Sequence, residues 1–328
     1  MRHKVLGTGG LLVAVVMTCI MSAIEFFVGH PHELEGMLGI CIPSPNLWML
    51  PQYLSWIINL LMIIILGLSL HLFNKTYNFI SSSDTILPST FIFLCGANPW
   101  IDGLLTSSVI VMLANLLCLN MLFRCYRSQK GMVNLFTVGV ILSFGSMFDF
   151  AFVFLSAAYI LIAATLKCLN FRSFIAYLMG LVTPYWIGLG LGLIPLDGLS
   201  YPTITNLFDD FASKESLLIG MLNGAVTMLF LLILVLSNAV KLYAGNTRRR
   251  LMNNAIVILG LAVSICLVCD ADNATTYFAT LYFVLATQLA NLFVLHNIRY
   301  PGLIIFLTVA LYLAAYIFMV IGYFPQLA

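Results

Sequence analysis

"GMVNLFTVGVILSFGSMFDFAFVFLSAAYILIAATL", residues 131–166, is a continuous apolar stretch that lies between Lys130 and Lys167. A single helix over this stretch would be about 54 Å long at about 1.5 Å per residue, whereas the hydrocarbon core of a bilayer is about 30 Å thick. Folding the stretch in two returns both lysines to the same side of the membrane and leaves Asp149 on the other side. The stretch therefore predicts a hairpin of two helices that each cross the membrane.

The composition of the whole chain also indicates a membrane protein. Of the 328 residues, 62% are hydrophobic and 8% are charged, whereas charged residues make up about 25% of a typical soluble domain. No polar stretch is long enough to fold as a separate soluble domain. The sequence therefore predicts an all-α fold, a polytopic transmembrane helix bundle that forms a single integral membrane domain over residues 1–328.

A helix needs about 20 apolar residues to span a bilayer, and the chain contains eleven candidate segments. The first follows a basic start and is interpreted as a retained helix, because its apolar run is longer than that of a signal peptide and no cleavage site follows it. The eleven segments are 5–28, 53–73, 85–98, 101–123, 131–148, 150–166, 173–195, 217–240, 254–269, 275–295 and 302–324.

Basic residues orient these segments, because cytoplasmic loops of membrane proteins collect Lys and Arg. With the amino terminus inside, all 14 lysines and arginines except Lys214 fall on the cytoplasmic side, and all 12 acidic residues except Asp84 fall outside. The pattern predicts about eleven spans, a cytoplasmic amino terminus and an external carboxyl terminus. The basic loop near 238–254 is a candidate boundary between sub-bundles 1–240 and 251–328.

Four acidic residues lie at or slightly inside the predicted external ends of the helices, namely Glu25, Asp102, Asp149 and Asp270. An ionised side chain near hydrocarbon is costly unless it has partners or water. We therefore expect an acidic cavity that opens outward, with Glu25, Asp102 and Asp149 as candidate catalytic residues and Asp270 as a candidate substrate-binding residue. The alternative is that each acid ends its helix and reaches the headgroup region.

A short polar segment follows Glu25 and carries His30, His32 and Glu33. Imidazole and carboxylate groups can bind a divalent metal or transfer protons. These three residues and the external Lys214 are therefore candidate substrate-binding residues. The spacing matches no known metal motif, so no cofactor is predicted, although a divalent metal stays an open alternative. A solvated turn is the other interpretation of this segment.

Three further features carry structural interpretations. The glycine run Gly188, Gly190 and Gly192 predicts close helix packing. Trp100 is expected at the membrane interface, where tryptophan is enriched. Polar residues such as Asn59 are few in the middle of the predicted helices, which argues against a transporter.

Two resemblances to known families can be drawn from these segments. The stretch from "NPWIDGLL" through "FRCYRSQKG" to "SFGSMFDFAFVFLSAAY", within about residues 85–195, resembles an uncharacterised family of bacterial multi-pass inner-membrane proteins. This resemblance implies the bacterial inner membrane and brings no known activity. The general layout and residues 25–35 resemble the polytopic glycosyltransferases that use polyprenyl-phosphate sugars, which often have eleven or more helices and a catalytic acid in the first external loop. The chain departs from those enzymes in its short first loop and its near lack of external basic residues.

Three functions follow from these observations. The first is an enzyme of envelope glycan assembly that acts on polyprenyl-linked sugars, with membrane lipids and a polyprenyl-phosphate-linked substrate as its partners. The alternatives are a proton-coupled transporter and a non-catalytic membrane subunit of an envelope complex. No nucleic-acid partner is predicted, and the sequence indicates no particular protein partner.

Overall fold

A computed structural model of the protein describes residues 7–27, 39–41, 50–80, 85–126, 131–192, 215–243, 246–270, 273–296 and 300–323. Within these residues the fold is all-α and contains no strand. The helices are α1 (Thr8–Phe27), α2 (Gln52–Tyr77), α3 (Ile86–Gly96), α4 (Pro99–Asp102), α5 (Ser107–Cys125), α6 (Gly131–Ser146), α7 (Ala151–Thr165), α8 (Phe171–Gly190), α9 (Glu215–Tyr243), α10 (Thr247–Cys269), α11 (Ala274–Leu295) and α12 (Pro301–Tyr323).

Eight helices in the described part of the chain are long and apolar enough to cross a membrane, namely α1, α2, α5, α8, α9, α10, α11 and α12. Three further apolar helices are shorter, with 11 residues in α3, 16 in α6 and 15 in α7. The prediction of a multi-pass helical membrane protein is confirmed at this level. Each of the eleven predicted segments overlaps one of these helices, whereas the total of eleven crossings and the orientation stay predictions.

The 131–166 stretch is divided into two helices, α6 and α7, as its length predicts. Asp149 lies in the turn between them, where its Oδ1 accepts a hydrogen bond from the backbone N–H of Ala151 at 2.9 Å. A short acidic side chain at the start of a helix satisfies an N–H group that has no partner within the helix. The polar residue inside this apolar stretch therefore marks the point where one helix ends and the next begins.

The predicted span at 101–123 begins later than expected, because a separate short helix precedes it. Asn98 caps this helix, α4, by accepting a hydrogen bond from the backbone N–H of Trp100 at 3.1 Å, and Pro99 occupies the first helical position. The helix ends at Asp102, and α5 begins at Ser107. Asp102 thus lies at a break between two helices.

Trp100 is buried inside the bundle. It is 3% exposed, and its ring packs edge-on against Phe278 of α11 with the ring centroids 6.1 Å apart. Gly220 of α9 lies against the same ring, since a Cβ at this glycine would be 1.8 Å from the indole. Trp100 therefore does not face the lipid, because α9 and α11 cover the indole, whereas its position at the level of the membrane interface stays a prediction.

α11 is the most enclosed of the eight long apolar helices in the described bundle. Every residue over 274–291 is buried, and the helix packs against α3, α5, α9 and α10. Its polar side chains bond to neighbouring helices: Asn115 donates to the hydroxyl of Thr280 at 2.9 Å, and Gln288 donates to Oδ1 of Asn253 at 2.9 Å. The interpretation that mid-helix polar residues are few is therefore wrong, because the apolar segments hide many paired polar groups.

α8 packs along α6 through a pair of glycines. A Cβ at Gly139 would lie 2.5 Å from a carbonyl oxygen of α8, and a Cβ at Gly180 would lie 2.3 Å from the carbonyl oxygen of Phe136. At Gly190 and Gly192, by contrast, a Cβ would have no neighbour within 4 Å. The packing predicted for the later glycine run is therefore wrong at those two positions, and Gly139 with Gly180 provides the close helix contact.

Candidate functional site

The rotation of α1 turns Glu25 toward the interior. Ile20 and Ile24 are exposed on one face of the helix, whereas Thr18, Ser22 and Glu25 belong to the buried face. Their spacing of three and four residues puts them on one side of a helix. Glu25, in the last turn, is only 3% exposed.

Asp102 comes from a distant part of the chain and meets the same face of α1. Its exposed fraction is 0%. Ser22, one turn before Glu25, donates from its hydroxyl to the backbone oxygen of Asp102 at 3.3 Å. Asn59 of α2 donates from Nδ2 to the backbone oxygens of Ile101 at 2.6 Å and Asp102 at 3.2 Å. Because Ser22 is one helical turn from Glu25, these bonds bring Asp102 close to Glu25, and we call these two residues the acid pair.

The acid pair has carboxyl oxygens with no hydrogen-bond partner among the described residues. By distance and angle they are Oε2 of Glu25 and both carboxyl oxygens of Asp102, and Oδ1 of Asn59 also has no partner. The Ser22 hydroxyl lies near the Asp102 carboxyl, but its better-aligned acceptor is the Asp102 backbone oxygen. No basic side chain among the described residues interacts electrostatically with either acid. Burial of an ionised carboxylate costs several kcal/mol unless a counter-charge compensates it. The pair therefore requires a proton or a positively charged ligand.

Aromatic rings lie beside the acid pair. Phe26 stacks on Trp56 with the ring centroids 4.8 Å apart and packs on Tyr53 at 5.0 Å. Nε1 of Trp56 donates to the hydroxyl oxygen of Ser22 at 2.7 Å, and that same hydroxyl contacts Asp102. Tyr53 is 65% exposed. These three rings, the aromatic cluster, therefore extend from the acid pair to the surface of the bundle.

Asp149 and Asp270 form a second acidic group near the start of α11. Oδ2 of Asp149 accepts a long hydrogen bond from the hydroxyl of Thr276 at 3.5 Å, and Oδ2 of Asp270 accepts from the hydroxyl of Tyr277 at 2.9 Å. Oδ1 of Asp270 accepts from Asn273 at 2.6 Å. Unlike the acid pair, these carboxyls are hydrogen-bonded at helix starts, where the helix dipole favours negative charge.

The start of α5 connects the two acidic groups. Ser107, the first residue of α5, hydrogen-bonds to Asp149 through its side chain. Ser107 is five residues after Asp102 in the chain, so the two are at most about 18 Å apart. Glu25 therefore lies near Asp102, Asp149 and Asp270 bond to successive residues of α11, and the start of α5 leads from the first group to the second.

Asp149→Asn is expected to weaken the pH dependence of stability. Burial raises the pKa of the Asp149 carboxyl, opposed by hydrogen bonds from the Ala151 N–H and the hydroxyls of Ser107 and Thr276. A carboxyl whose pKa is raised by folding stabilises the fold below its unfolded pKa of about 3.9 and loses that contribution as the pH rises through the folded value. An amide does not titrate. Thermal-unfolding midpoints between about pH 4 and pH 8 measure the difference, and parallel curves would contradict it.

Four predicted site residues, His30, His32, Glu33 and Lys214, lie outside the described residues. Within the part that the structure describes, no group of three or more His, Cys, Asp or Glu side chains could hold a metal ion. The divalent metal therefore stays a prediction that concerns the loops.

Sequence reasoning does not identify Ser22 and Trp56 as site residues, and it places Asn59 merely among mid-helix polar groups. A signal for Ser22 exists, because its three-residue spacing from Glu25 puts both on one helix face. A buried asparagine in an apolar helix also requires a partner. No sequence signal links Trp56 to the acids, because its contact depends on how α1 and α2 pack.

Comparisons of the chain with protein-family models, with curated proteins and with solved structures found no match.

Proposed function

We propose that the protein crosses the bacterial inner membrane eleven times, with its amino terminus in the cytoplasm and its carboxyl terminus outside. The two ends of α2 support this topology. Near its start, Trp56 lies beside the acid pair. Near its end, the hydroxyl of Tyr77 donates to Asn120 of α5 at 2.5 Å, in the turns that carry Lys75 and Arg124. Acids and bases of these helices thus lie at opposite ends, in keeping with the positive-inside rule.

We infer that the protein is an enzyme of envelope glycan assembly that transfers a sugar from a polyprenyl-phosphate carrier at the outer face. The acid pair is the observation that supports this function most. Two buried carboxyls from separate helices meet at the end of the bundle where, in the proposed topology, the headgroups and the carrier phosphate lie. Their buried oxygens have no hydrogen-bond partner among the described residues, which leaves them able to accept a hydrogen bond from a substrate that reaches the site.

Glu25 is the proposed general base. Its carboxylate takes the proton of the acceptor hydroxyl while the acceptor oxygen attacks the anomeric carbon of the donor sugar. The bond between that carbon and the phosphate oxygen breaks, and polyprenyl phosphate leaves with the electron pair. Asp102 either stays protonated or binds a positively charged group while Glu25 acts as the base. Neighbouring carboxyls in different environments divide acid and base roles in this way.

The remaining candidates receive supporting roles in this proposal. Lys214, with His30 and His32 when they are protonated, supplies positive charge for the donor phosphate. Glu33 adds a carboxylate to the external loop that carries His30 and His32, where a divalent metal would have to bind. Asp149 stabilises the helix starts behind the acid pair. Asp270 does the same at α11.

A proton-coupled transporter is the second candidate, and the polar residues around α11 favour it. The hydroxyl of Tyr282 accepts hydrogen bonds from Asn98 at 3.0 Å and Asn223 at 3.2 Å, and Asn238 donates to the backbone oxygen of Gln288 at 2.8 Å. Transporters place polar groups between helices inside the membrane. The acid pair would then be the proton-binding site of the carrier.

Turnover by the purified protein in lipid nanodiscs tests the proposed enzyme. Incubation with polyprenyl-phosphate sugars and acceptor glycans is expected to release polyprenyl phosphate, which chromatography of the lipid fraction measures. The same protein in proteoliposomes is expected to show no uptake of the acceptor glycans when a proton gradient is applied. Uptake that Asp102→Asn abolishes, without any release of polyprenyl phosphate, would contradict the enzyme and support the carrier.

A further inference from the structure

The acid pair contains more hydrogen-bond acceptors than the described protein satisfies. The unpartnered atoms are Oε2 of Glu25, both carboxyl oxygens of Asp102 and Oδ1 of Asn59. The three residues are each 3% exposed or less. Buried polar atoms in proteins are almost always hydrogen-bonded. Four such acceptors on these three residues indicate that donors from beyond the described residues complete the site.

The donors of the site, by contrast, are already used. Nδ2 of Asn59 is bonded to the backbone oxygens of Ile101 and Asp102, so Oδ1 is the amide atom that remains to accept. The hydroxyl of Ser22 donates to the backbone of Asp102 and accepts from Trp56. A group that donates hydrogen bonds and carries positive charge is complementary to this pattern. A primary ammonium has three N–H donors and no acceptor.

The aromatic cluster favours an organic ammonium over a bare metal ion. Ammonium groups bind the faces of Trp and Tyr rings within about 6 Å of the ring centroid. The Nε1–H edge of Trp56 contacts Ser22, which is one helical turn from Glu25, and Phe26 stacks on one face of the indole. The ammonium would therefore use the other face of Trp56, and the exposed Tyr53 continues the aromatic surface outward. A hard metal ion takes about six or more oxygen ligands, whereas the described residues provide no larger cluster of metal-binding side chains here.

We propose that Glu25, Asp102 and Asn59 bind a primary ammonium group, carried by an amino sugar. The three N–H groups meet the two carboxylates and the amide oxygen, one each, and the ammonium supplies a counter-charge that no described residue gives to the acid pair. The choice of an amino sugar rests on the proposed glycosyl transfer, whereas ammonium binding itself does not.

Calorimetric titration of the full-length protein in nanodiscs tests this site, with glucosamine as ligand and N-acetylglucosamine as its uncharged counterpart. Glucosamine is expected to bind at least about 10-fold more tightly, because acetylation removes charge-assisted hydrogen bonds. Glu25→Gln and Asp102→Asn preserve side-chain size and each remove one carboxylate. Each is expected to weaken glucosamine binding by about 10- to 100-fold.

Two substitutions of Trp56 isolate the contribution of the aromatic ring. Trp56→Phe and Trp56→Leu both lose the hydrogen bond to Ser22, but only phenylalanine retains an aromatic face. Trp56→Leu is therefore expected to bind glucosamine about 3- to 10-fold more weakly than Trp56→Phe. Equal affinities in these two variants would remove the cation–π contact from the site.

Equal affinity for the two sugars, or no binding of either, would overturn the proposal, and this comparison needs only the unmodified chain. Unchanged glucosamine affinity in Glu25→Gln and Asp102→Asn would overturn it as well. If sodium ions stabilise the protein more than choline does, and glucosamine does not bind, the site would belong to an inorganic ion instead. Glucosamine binding without glycosyl transfer would keep the ammonium site and contradict the proposed enzyme, whereas transfer of neutral sugars alone would do the reverse.

Discussion

Glu25→Gln is expected to slow glycosyl transfer by about 10²- to 10⁴-fold, the usual contribution of a general base. Glutamine fills the same buried position but cannot accept the proton of the acceptor hydroxyl. The initial rate of polyprenyl phosphate release at saturating donor measures the loss. The variant is expected to fold, because no described basic partner loses an ion pair in the substitution.

Thr18→Val is the matched control for this experiment. The hydroxyl of Thr18 donates to the backbone oxygen of Ile92 at 3.0 Å, on the same face of α1 and about two turns before Glu25. Valine removes this buried hydrogen bond, at a cost of about 1 kcal/mol, and leaves the acid pair intact. It is expected to keep most of the activity. An equal loss in both variants would mean that the packing of α1 sets the rate, and it would contradict the role of Glu25 as base.

Gly180→Leu is expected to separate α8 from α6 and to lower the free energy of unfolding by about 3 kcal/mol or more. Even a Cβ at this position would lie 2.3 Å from the carbonyl oxygen of Phe136. A backbone atom cannot move aside as a flexible side chain can, so the helices must shift. Thermal or denaturant unfolding in detergent, followed by circular dichroism, measures the change.

Gly190→Leu is the control on the same helix. A Cβ at Gly190 has no neighbour within 4 Å, so a leucine there meets open space. Its stability is expected to change by less than about 1 kcal/mol, the difference in helix propensity between glycine and leucine. Similar losses in the two variants would mean that α8 does not pack through Gly180.

The helices themselves could be predicted from the sequence, because a helix that lies in lipid or inside the bundle needs a long run of apolar residues. The break at Asp149 is the clearest case, since the length of the 131–166 stretch excludes a single crossing. The exact ends of the helices were harder to predict from the sequence. The late start of α5 depends on the Asn98 cap and Pro99, which begin the short helix α4 and leave Asp102 in a break.

The partners of the candidate site residues could not be predicted in the same way. The pairing of Glu25 with Asp102 depends on the rotation of α1 and on the bonds from Asn59, which belongs to a third helix. The burial of Trp100 also depends on tertiary packing, because α9 must approach the indole through Gly220. Apolar runs report that a helix is buried in lipid or protein, but they do not report which helices face each other.

A cryo-electron-microscopy map of the protein in lipid nanodiscs tests the acid pair most directly. We expect the carboxyl groups of Glu25 and Asp102 to lie within about 6 Å of each other, the range in which neighbouring charges affect ionisation. We also expect Asn59 to bond to the backbone of Asp102. Carboxyls that point to separate surfaces, with a helix or lipid between them, would contradict the pairing of Glu25 with Asp102.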